Sequence, residues 1–174
     1  FHLSLQSGSN SVLNAMNRHY TREEYIEKVD LIRKYFPDAA ITTDIIVGFP
    51  TETEKDFLDS VDIVERVEFA DIHPFPFSPR SGTVAYQMKD LSPDIKKQRV
   101  NKLLDLKNAC KNAFALKMVG KVFNVLFEED KDGYATGYTE NYLRVYLKAD
   151  NLNGCMKKVK IIKPYLDGAL AELI

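Results

Sequence analysis

The pattern of apolar and polar positions changes once along the chain. Before residue 118, apolar residues either form short runs or recur at helical spacing, which is typical of strands that alternate with amphipathic helices. After Gly120 they alternate with polar residues at a period of two, which is typical of antiparallel strands with one buried face. The sequence therefore predicts an α/β domain at 1–118 and a small β-domain at 119–174.

Three apolar segments of the first domain are predicted to be strands, and each of them precedes an amphipathic helix. They cover 1–5, 39–47 and 69–73. The second is rich in β-branched residues, as expected of a strand that is covered on both faces. This repetition of strand and helix predicts parallel strands that are joined by right-handed crossovers.

The predicted helices begin at residues that are typical of helix caps. Thr21 with Glu24, and Thr51 with Glu54, have the spacing of a capping box. Ser92 precedes a proline at the start of a long helix, where both residue types are favoured.

The second domain is predicted to be a small antiparallel barrel or sandwich. Turns are indicated at Asp132-Gly133 and Asn153-Gly154. The short strands between them are expected at 121–127, 134–139, 141–147 and 156–162, with a fifth at 169–174.

Composition places the chain among ordinary globular proteins. Its 174 residues carry a net charge of −1, so a nucleic-acid partner would need a local basic surface. No apolar run is long enough to cross a membrane. Cys110 and Cys155 lack the spacing of a metal site or a disulfide framework, which favours a reducing, cytoplasmic setting. Because the chain opens at Phe1, inside a predicted strand, we expect a fragment of a longer protein.

Candidate binding residues follow the predicted strands, where parallel β/α folds carry their functional groups. The polar turn 6–9 leads into a helix and offers backbone N–H groups to an anion, and Gly48 would let a ligand approach the backbone. Phe75 and Phe77 could hold a flat ring. Spacing alone indicates a nucleotide-like ligand; the alternatives are a simple helix cap and two phenylalanines that fill a barrel.

Several of these segments resemble the methylthiotransferase branch of the radical-SAM enzymes. They are LSLQSGS at 3–9, TDIIVGFP at 43–50, FPFSPR at 75–80 and SGT at 81–83, in the same order as in that family. The resemblance spans nearly the whole chain. It implies three β/α units, half of a partial (β/α)6 TIM-like barrel, followed by a TRAM domain, a small OB-like β-barrel that binds tRNA.

The resemblance also implies the cofactors. The full-length enzymes use S-adenosylmethionine and two [4Fe–4S] clusters, whose cysteine ligands would lie before Phe1. We therefore expect the fragment to contain no catalytic or metal-binding residue, to be inactive alone and to bind neither cofactor. By resemblance, the cofactor-binding residues are Gln6, Ser7, Ser9, Arg18, Asp44, Ile46, Val47, Gly48, Phe75 and Phe77. Arg18 is expected to bind the methionine carboxylate, the alternative being an exposed arginine at a helix end.

RNA binding is expected on the second domain. The segment 141–147 alternates, with Leu143, Val145 and Leu147 on one side and an aromatic–arginine–aromatic row on the other, which suits unpaired bases and a phosphate. The alternative is an edge strand protected from aggregation. The expected RNA-binding residues are Tyr138, Tyr142, Arg144, Tyr146, Lys157, Lys158 and Lys160. A second basic face is expected on the long helix, at Lys96, Lys97, Arg99, Lys102, Lys107 and Lys111.

The segment GYTENY at 137–142 most resembles the branch that methylthiolates C2 of N6-threonylcarbamoyladenosine next to the tRNA anticodon. The isopentenyladenosine branch, the branch that modifies a ribosomal-protein aspartate, and a non-catalytic RNA-binding module stay open as alternatives. The expected partner is the tRNA anticodon stem-loop. We also expect a homodimer through the open edges of the half barrel, and no site role for His2, His19 or His73.

Overall fold

The computed structural model describes residues 1–174, which fold into two compact units. The first contains Phe1–Pro37 and Ile41–Lys107, and the second contains Asp38–Ala40 and Asn108–Ile174. This division falls inside a helix. The domain boundary between residues 118 and 119 rests on the change of sequence period and stays a prediction.

The first unit contains a parallel sheet, as the sequence predicted. Strand β1, Thr42–Val47, pairs in parallel with β2, Asp71–Pro76. The observed β2 continues through two prolines beyond residue 73, where the predicted strand ended. Because β2 lies at the edge of the sheet, the N–H groups that proline lacks are not needed by a neighbouring strand.

The predicted strand at 1–5 is replaced by an extended segment that forms only two isolated bridges to β1, at His2 and Gln6. The backbone N–H of Leu5 donates to the hydroxyl of Thr43 at 2.8 Å instead of to a backbone carbonyl. Gln6 then adopts a φ of 68°, outside the strand region. The segment still lies parallel to β1, so the third strand position of the predicted half barrel is filled.

Four α-helices and one short 3-10 helix complete the first unit and lead into the second. They are α1 (Asn10–Ala15), α2 (Arg22–Tyr35), α3 (Glu54–Val67), the 3-10 helix Val84–Gln87 and α4 (Pro93–Lys117). No helix is both long and apolar enough to cross a membrane.

Two of the three predicted helix starts are confirmed. The Thr21 and Glu24 capping box is present at α2, and the Ser92 hydroxyl accepts from the N–H of Ile95 at 3.4 Å at α4. The capping box predicted at Thr51 is wrong, because a turn in which Glu52 N–H donates to Phe49 O at 2.8 Å occupies that position. Helix α3 instead begins after Thr53, with reciprocal hydrogen bonds between Thr53 and Asp56.

The second unit is a closed five-stranded barrel in the order β3-β4-β5-β7-β6. All neighbouring strands are antiparallel except β5 and β7, which are parallel. The predicted small β-barrel is therefore confirmed, and its core includes Val125, Phe127, Val145, Val159 and Ile161. The strands are β3 (Val122–Lys131), β4 (Tyr134–Thr139), β5 (Arg144–Leu147), β6 (Met156–Tyr165) and β7 (Gly168–Leu173).

Candidate functional site

A cavity of about 850 Å³ opens at the carboxyl ends of the parallel strands in the first unit. Six of the ten residues expected to bind the cofactor line it, although they come from separate segments of the sequence. Those six are Gln6, Arg18, Asp44, Ile46, Phe75 and Phe77. The cavity is also lined by Ala15, Met16, Asn17, Phe49, Pro76, Ser78, Arg80, Thr83, Val84 and Ala85.

Polar side chains, among them two guanidinium groups, line part of the cavity. Arg18 Nη2 donates to Gln6 Oε1 at 3.4 Å, which directs the arginine towards the turn after the first segment. Gln6 is itself fixed, since its backbone N–H donates to Asp44 O at 2.9 Å and its backbone O accepts from Ile46 N at 2.8 Å. Arg80 is exposed at the same cavity. A guanidinium group can bind a carboxylate through planar, bidentate contacts.

Aromatic side chains line another part of the cavity. Phe77 packs edge-to-face against Phe49, with ring centroids 5.1 Å apart, and the Lys96 ammonium lies 5.3 Å from the Phe77 ring centre. Phe75 is 50% exposed and lies beside Ile46 in the sheet register. An exposed phenylalanine next to an aliphatic side chain offers a flat apolar surface of the kind that stacks on a planar ring.

The other four expected cofactor residues do not line the cavity. The Ser7 hydroxyl accepts from Ser9 N–H at 3.2 Å, and the Ser9 hydroxyl donates to Asp56 at 2.6 Å. Val47 is fully buried, because alternation along β1 turns its side chain away from the open face. Gly48 has a φ of 74°, and a Cβ there would lie 2.5 Å from Lys96 Cγ. These residues hold the shape of the turns around the cavity.

The hydrogen bonds of Ser9 also set the ionisation of Asp56. Partial burial opposes ionisation of this carboxyl, but hydrogen bonds from Ser11, Ser9 and Thr53 outweigh burial and hold its pKa well below the usual range. The ionised carboxylate therefore joins the 6–9 turn to the start of α3.

A buried ion pair beneath the loop after β1 was missed by the sequence analysis. The Glu52 side chain is 0% exposed and accepts from Gly48 N–H at 2.8 Å and from Arg99 Nη1. Burial raises the pKa of Glu52, while the Gly48 N–H and Arg99 lower it in part. Atoms Glu52 Oε2 and Arg99 Nε are buried without hydrogen-bond partners. The pair ties α4 to the loop that carries Phe49.

The basic face predicted on α4 is therefore wrong in part. Lys96 donates to Phe77 O at 3.0 Å and to Asp90 at 2.6 Å, Arg99 is in the buried pair, and Lys107 contacts Asp71 at 3.2 Å. Positions 96, 99, 103 and 107 are spaced as one face of a helix, and Leu103 on that face is fully buried. This spacing in the sequence indicates that the face points inward.

Two histidines that are far apart in sequence meet on the open face of the parallel sheet. The rings of His2 and His73 lie 6.0 Å apart, and His2 Nε2 is 3.2 Å from Asp44 Oδ2. No site role was expected for these histidines, and the proximity of these two was not predicted. Sequence spacing gave no signal, because only the parallel register brings positions 2, 44 and 73 side by side.

On the barrel, the expected aromatic–arginine–aromatic row is not one solvent face. Tyr142 is 76% exposed and stacks on Tyr138, with ring centroids 5.0 Å apart. Tyr146 is only 3% exposed, packs against Tyr134 and Tyr165, and donates to Asp167. Burial, with the hydrogen bond and charge of Asp167, raises the pKa of Tyr146 to about 12.

Arg144 and the lysines differ in how freely they could meet a phosphate. Arg144 contacts Glu129 at 2.7 Å and Asp167 at 3.3 Å, so two carboxylates already neutralise it. Lys157, Lys158 and Lys160 are exposed along β6. The alternation of the other face is confirmed, since Leu143, Val145 and Leu147 are all buried in the barrel.

Comparison with known proteins identifies the class to which this architecture belongs. Residues 1–64 match the Radical SAM superfamily. The chain is 43% identical to the tRNA-2-methylthio-N(6)-dimethylallyladenosine synthase of Aquifex aeolicus (strain VF5), over 99% of this chain and 40% of that protein. It is 34% identical to the threonylcarbamoyladenosine tRNA methylthiotransferase MtaB of Bacillus subtilis (strain 168), over 99% of this chain and 41% of that protein.

The chain therefore belongs to the radical-SAM tRNA methylthiotransferase family, as the sequence motifs indicated. It spans about 40% of the length of these curated relatives. Both substrate branches occur among the relatives, and the dimethylallyladenosine synthases have the higher identity. The comparisons thus support the family without assigning the modified base.

Replacing Arg99 by Met should destabilise the first unit by about 3–5 kcal/mol at pH 8, because the Glu52 carboxylate would stay buried without its partner. The pKa of folded Glu52 is already raised and would rise further, so stability is lost as the pH rises through that folded pKa. We expect a smaller loss at pH 5, measured by chemical denaturation at both pH values.

Two further variants test the interpretation that Glu52 and Arg99 form a buried ion pair. Adding Glu52→Gln to Arg99→Met should recover much of the loss, because no charge is then buried. Lys97→Met, at an exposed position of the same helix, is the matched control and should change stability by less than about 0.5 kcal/mol. Equal losses for Arg99→Met at the two pH values would contradict the assignment of an ionised, buried Glu52.

Proposed function

We propose that this chain is part of a tRNA methylthiotransferase in which the cavity of the first unit binds S-adenosylmethionine and the barrel binds tRNA. The observation that carries the proposal is the cavity itself. It combines Arg18, Gln6 and an aromatic wall at the carboxyl ends of parallel strands, in a chain that aligns over 99% of its length with such enzymes.

The residues of the cavity fit S-adenosylmethionine. Arg18 would bind the methionine carboxylate through its guanidinium group, next to the amide of Gln6. Ile46, Phe75 and Phe77 would hold the adenine against the apolar wall. When it is bound beside a reduced iron–sulfur cluster, S-adenosylmethionine supplies the radical that activates a C–H bond; the residues of this chain bind and orient it.

The iron–sulfur clusters are proposed to be held outside this chain. Cys110 and Cys155 are both half-buried and neither forms a disulfide. No group of three or more His, Cys, Asp or Glu side chains is placed to hold a metal ion. We propose that the two [4Fe–4S] clusters are bound by cysteines in the part of the full-length enzyme that this chain does not cover, so that this chain alone is inactive.

The proposed substrate is N6-threonylcarbamoyladenosine next to the anticodon, modified at C2. The segment 137–142 supports it by resemblance, and so does the Bacillus subtilis relative, which this chain matches over 99% of its length. The second candidate is the dimethylallyl-type adenosine, which is favoured by the higher identity of the Aquifex relative.

The RNA surface is proposed to centre on the stacked pair Tyr138 and Tyr142, with the exposed lysines of β6 as phosphate contacts. An exposed aromatic pair is a stacking platform for an unpaired base of the anticodon stem-loop. Arg144 would bind a phosphate only if it released Glu129 or Asp167, so its part in this surface is proposed to be smaller. The barrel would thus act as a TRAM domain.

We also propose a cytoplasmic location, because a tRNA-modifying enzyme meets its substrate there. The homodimer stays a prediction. Strand β2 lies at the edge of the sheet, but Pro74 and Pro76 remove two of the N–H groups that a pairing strand would need.

Deletion of the gene should remove one modified nucleoside from total tRNA. We expect loss of 2-methylthio-N6-threonylcarbamoyladenosine and accumulation of its precursor without the methylthio group, both measured by mass spectrometry of digested tRNA. Loss of the dimethylallyl derivative instead would favour the second candidate. If neither nucleoside changes, the chain is better explained as a non-catalytic RNA-binding module.

Replacing Tyr142 by Ala should weaken tRNA binding of the full-length protein about 10-fold, because a base would lose its stacking partner. The matched control is Tyr35→Ala, which removes a tyrosine that is 68% exposed on α2. Lys158→Ala should lower the salt dependence of binding by about one released counterion, whereas Tyr142→Ala should leave it unchanged. Equal affinities for Tyr142→Ala and Tyr35→Ala would contradict the stacking platform.

A further inference from the structure

An exposed row of apolar side chains crosses the outer surface of the barrel. Leu126 of β3 lies opposite Tyr138 of β4 on one side and opposite Met156 of β6 on the other. Tyr138 is 37% exposed, Leu126 42% and Met156 67%. Val125 and Phe127, which flank Leu126 along β3, are fully buried in the core. Because side chains alternate along a strand, Tyr138, Leu126 and Met156 form an apolar row on the outward face of three adjacent strands.

The apolar row is continuous with the stacked tyrosine pair. Neighbouring strands lie about 4.8 Å apart, so the row extends about 10 Å from Tyr138 to Met156. Tyr142, which is 76% exposed, stacks on Tyr138. Single exposed apolar residues are common on protein surfaces, whereas a contiguous set indicates a binding surface. This surface is longer than a single nucleotide base.

The backbone of Tyr142 is strained where it places the ring on Tyr138. Its φ of 69° lies in the left-handed region, which is unfavourable for a bulky side chain. The Tyr142 N–H donates to Thr139 O at 2.9 Å, and the Thr139 hydroxyl donates to Asn141 at 2.6 Å, so hydrogen bonds hold this turn. Glycine would make the same turn without the steric cost. Strain of this kind is typical of binding sites, which supports a binding role for the exposed ring.

Cationic side chains lie near both ends of the apolar row. Arg144 lies opposite Tyr138, and Lys158 follows Met156 on the same face of β6. Lys158 is exposed and lies opposite Asn124 in the register. Apolar side chains beside cations match single-stranded RNA, whose bases have flat faces and whose phosphates are negative. A duplex hides those faces, so the row is suited to unpaired nucleotides.

From this arrangement we propose that the apolar row extends the stacking platform of Tyr138 and Tyr142, so that the barrel holds about two or three consecutive unpaired nucleotides. The inference rests on the proposed function and deepens its RNA surface. One base would stack on Tyr142, and the next would lie on Leu126 and Met156. Lys158 would contact a phosphate beside Met156. Contacts to base faces tolerate any base, so the barrel would select unpaired RNA and not a particular sequence.

The test compares binding of the full-length protein to the tRNA anticodon stem-loop and to a fully paired RNA duplex of equal length. Replacing Leu126 and Met156 together by Ala should weaken stem-loop binding about 10-fold, because bases lose an apolar surface, and should leave duplex binding unchanged. The salt dependence of stem-loop binding should stay the same, since no phosphate contact is removed. Leu126→Phe, which keeps an apolar surface at this position, should retain the wild-type affinity.

The matched control is Leu173→Ala, which removes a leucine that is 51% exposed elsewhere on the barrel and should change neither affinity. If the double variant does not fold, as judged by thermal unfolding, Met156→Ala alone gives the same comparison, since that side chain is largely exposed.

Abasic nucleotides, placed one at a time along the loop, identify the bases that the row contacts. At least one abasic position that weakens binding to the wild-type protein should have no further effect on the Leu126 and Met156 double variant, because the partner of that base is already removed.

Equal stem-loop affinities for the double variant and for Leu173→Ala would overturn the inference, as would the same pattern of abasic sensitivity in the wild type and the double variant. A changed oligomeric state with unchanged RNA affinity would also overturn it, because the row would then be a protein contact. These outcomes leave the proposed function standing. A wild-type protein that binds neither tRNA nor the stem-loop would overturn the proposed function itself.

Discussion

The architecture of the candidate site depends on how α4 holds the loops that follow the parallel strands. Arg99 reaches the buried Glu52 carboxylate, which in turn binds the N–H of Gly48, and Lys96 binds the backbone of Phe77. Loops at strand ends are usually the mobile parts of an α/β fold. Here two cations from one helix face fix them, so that Phe49 and Phe77 meet at a defined angle and leave a cavity beside them.

Because side chains alternate along each strand, the two faces of the sheet differ in chemistry. On the covered face, Ile45, Val47 and Ile72 supply the buried apolar area that stabilises the unit. On the open face the same alternation presents Asp44 and Ile46. Stability and binding are therefore carried by alternate residues of the same short strands, and a shift of one residue in register would exchange them.

Much of this could be predicted from the sequence, and the errors have physical causes. Local signals were sufficient for the Thr21 capping box, for the start of α4 at Pro93 and for the change to a β-barrel after Gly120. The local signals failed at Thr51. There Glu52 forms the buried pair with Arg99, and the helix begins after Thr53 instead. Spacing identified a possible cap but could not show that a distant Arg99 contacts both Glu52 and Glu54, the predicted partner of Thr51.

Local sequence does not show tertiary contacts, and this also explains why only some of the site residues could be predicted. Resemblance to the family identified the six that line the cavity, but not that Ser9 and Gly48 support the loops from behind. On the barrel, alternation placed Tyr146 on the solvent side, whereas Tyr134 and Tyr165 from other strands cover it. The meeting of His2 and His73 follows from parallel register alone, which no local pattern encodes.

The central claim is that the cavity at the strand ends holds an adenosyl cofactor. The most direct measurement is a crystal structure of the full-length protein with S-adenosylmethionine. We expect the adenine to lie against Ile46 and one of the two phenylalanines Phe75 and Phe77, and the methionine carboxylate to lie within hydrogen-bonding distance of Arg18. Cofactor bound elsewhere, without contact to these residues, would contradict the account.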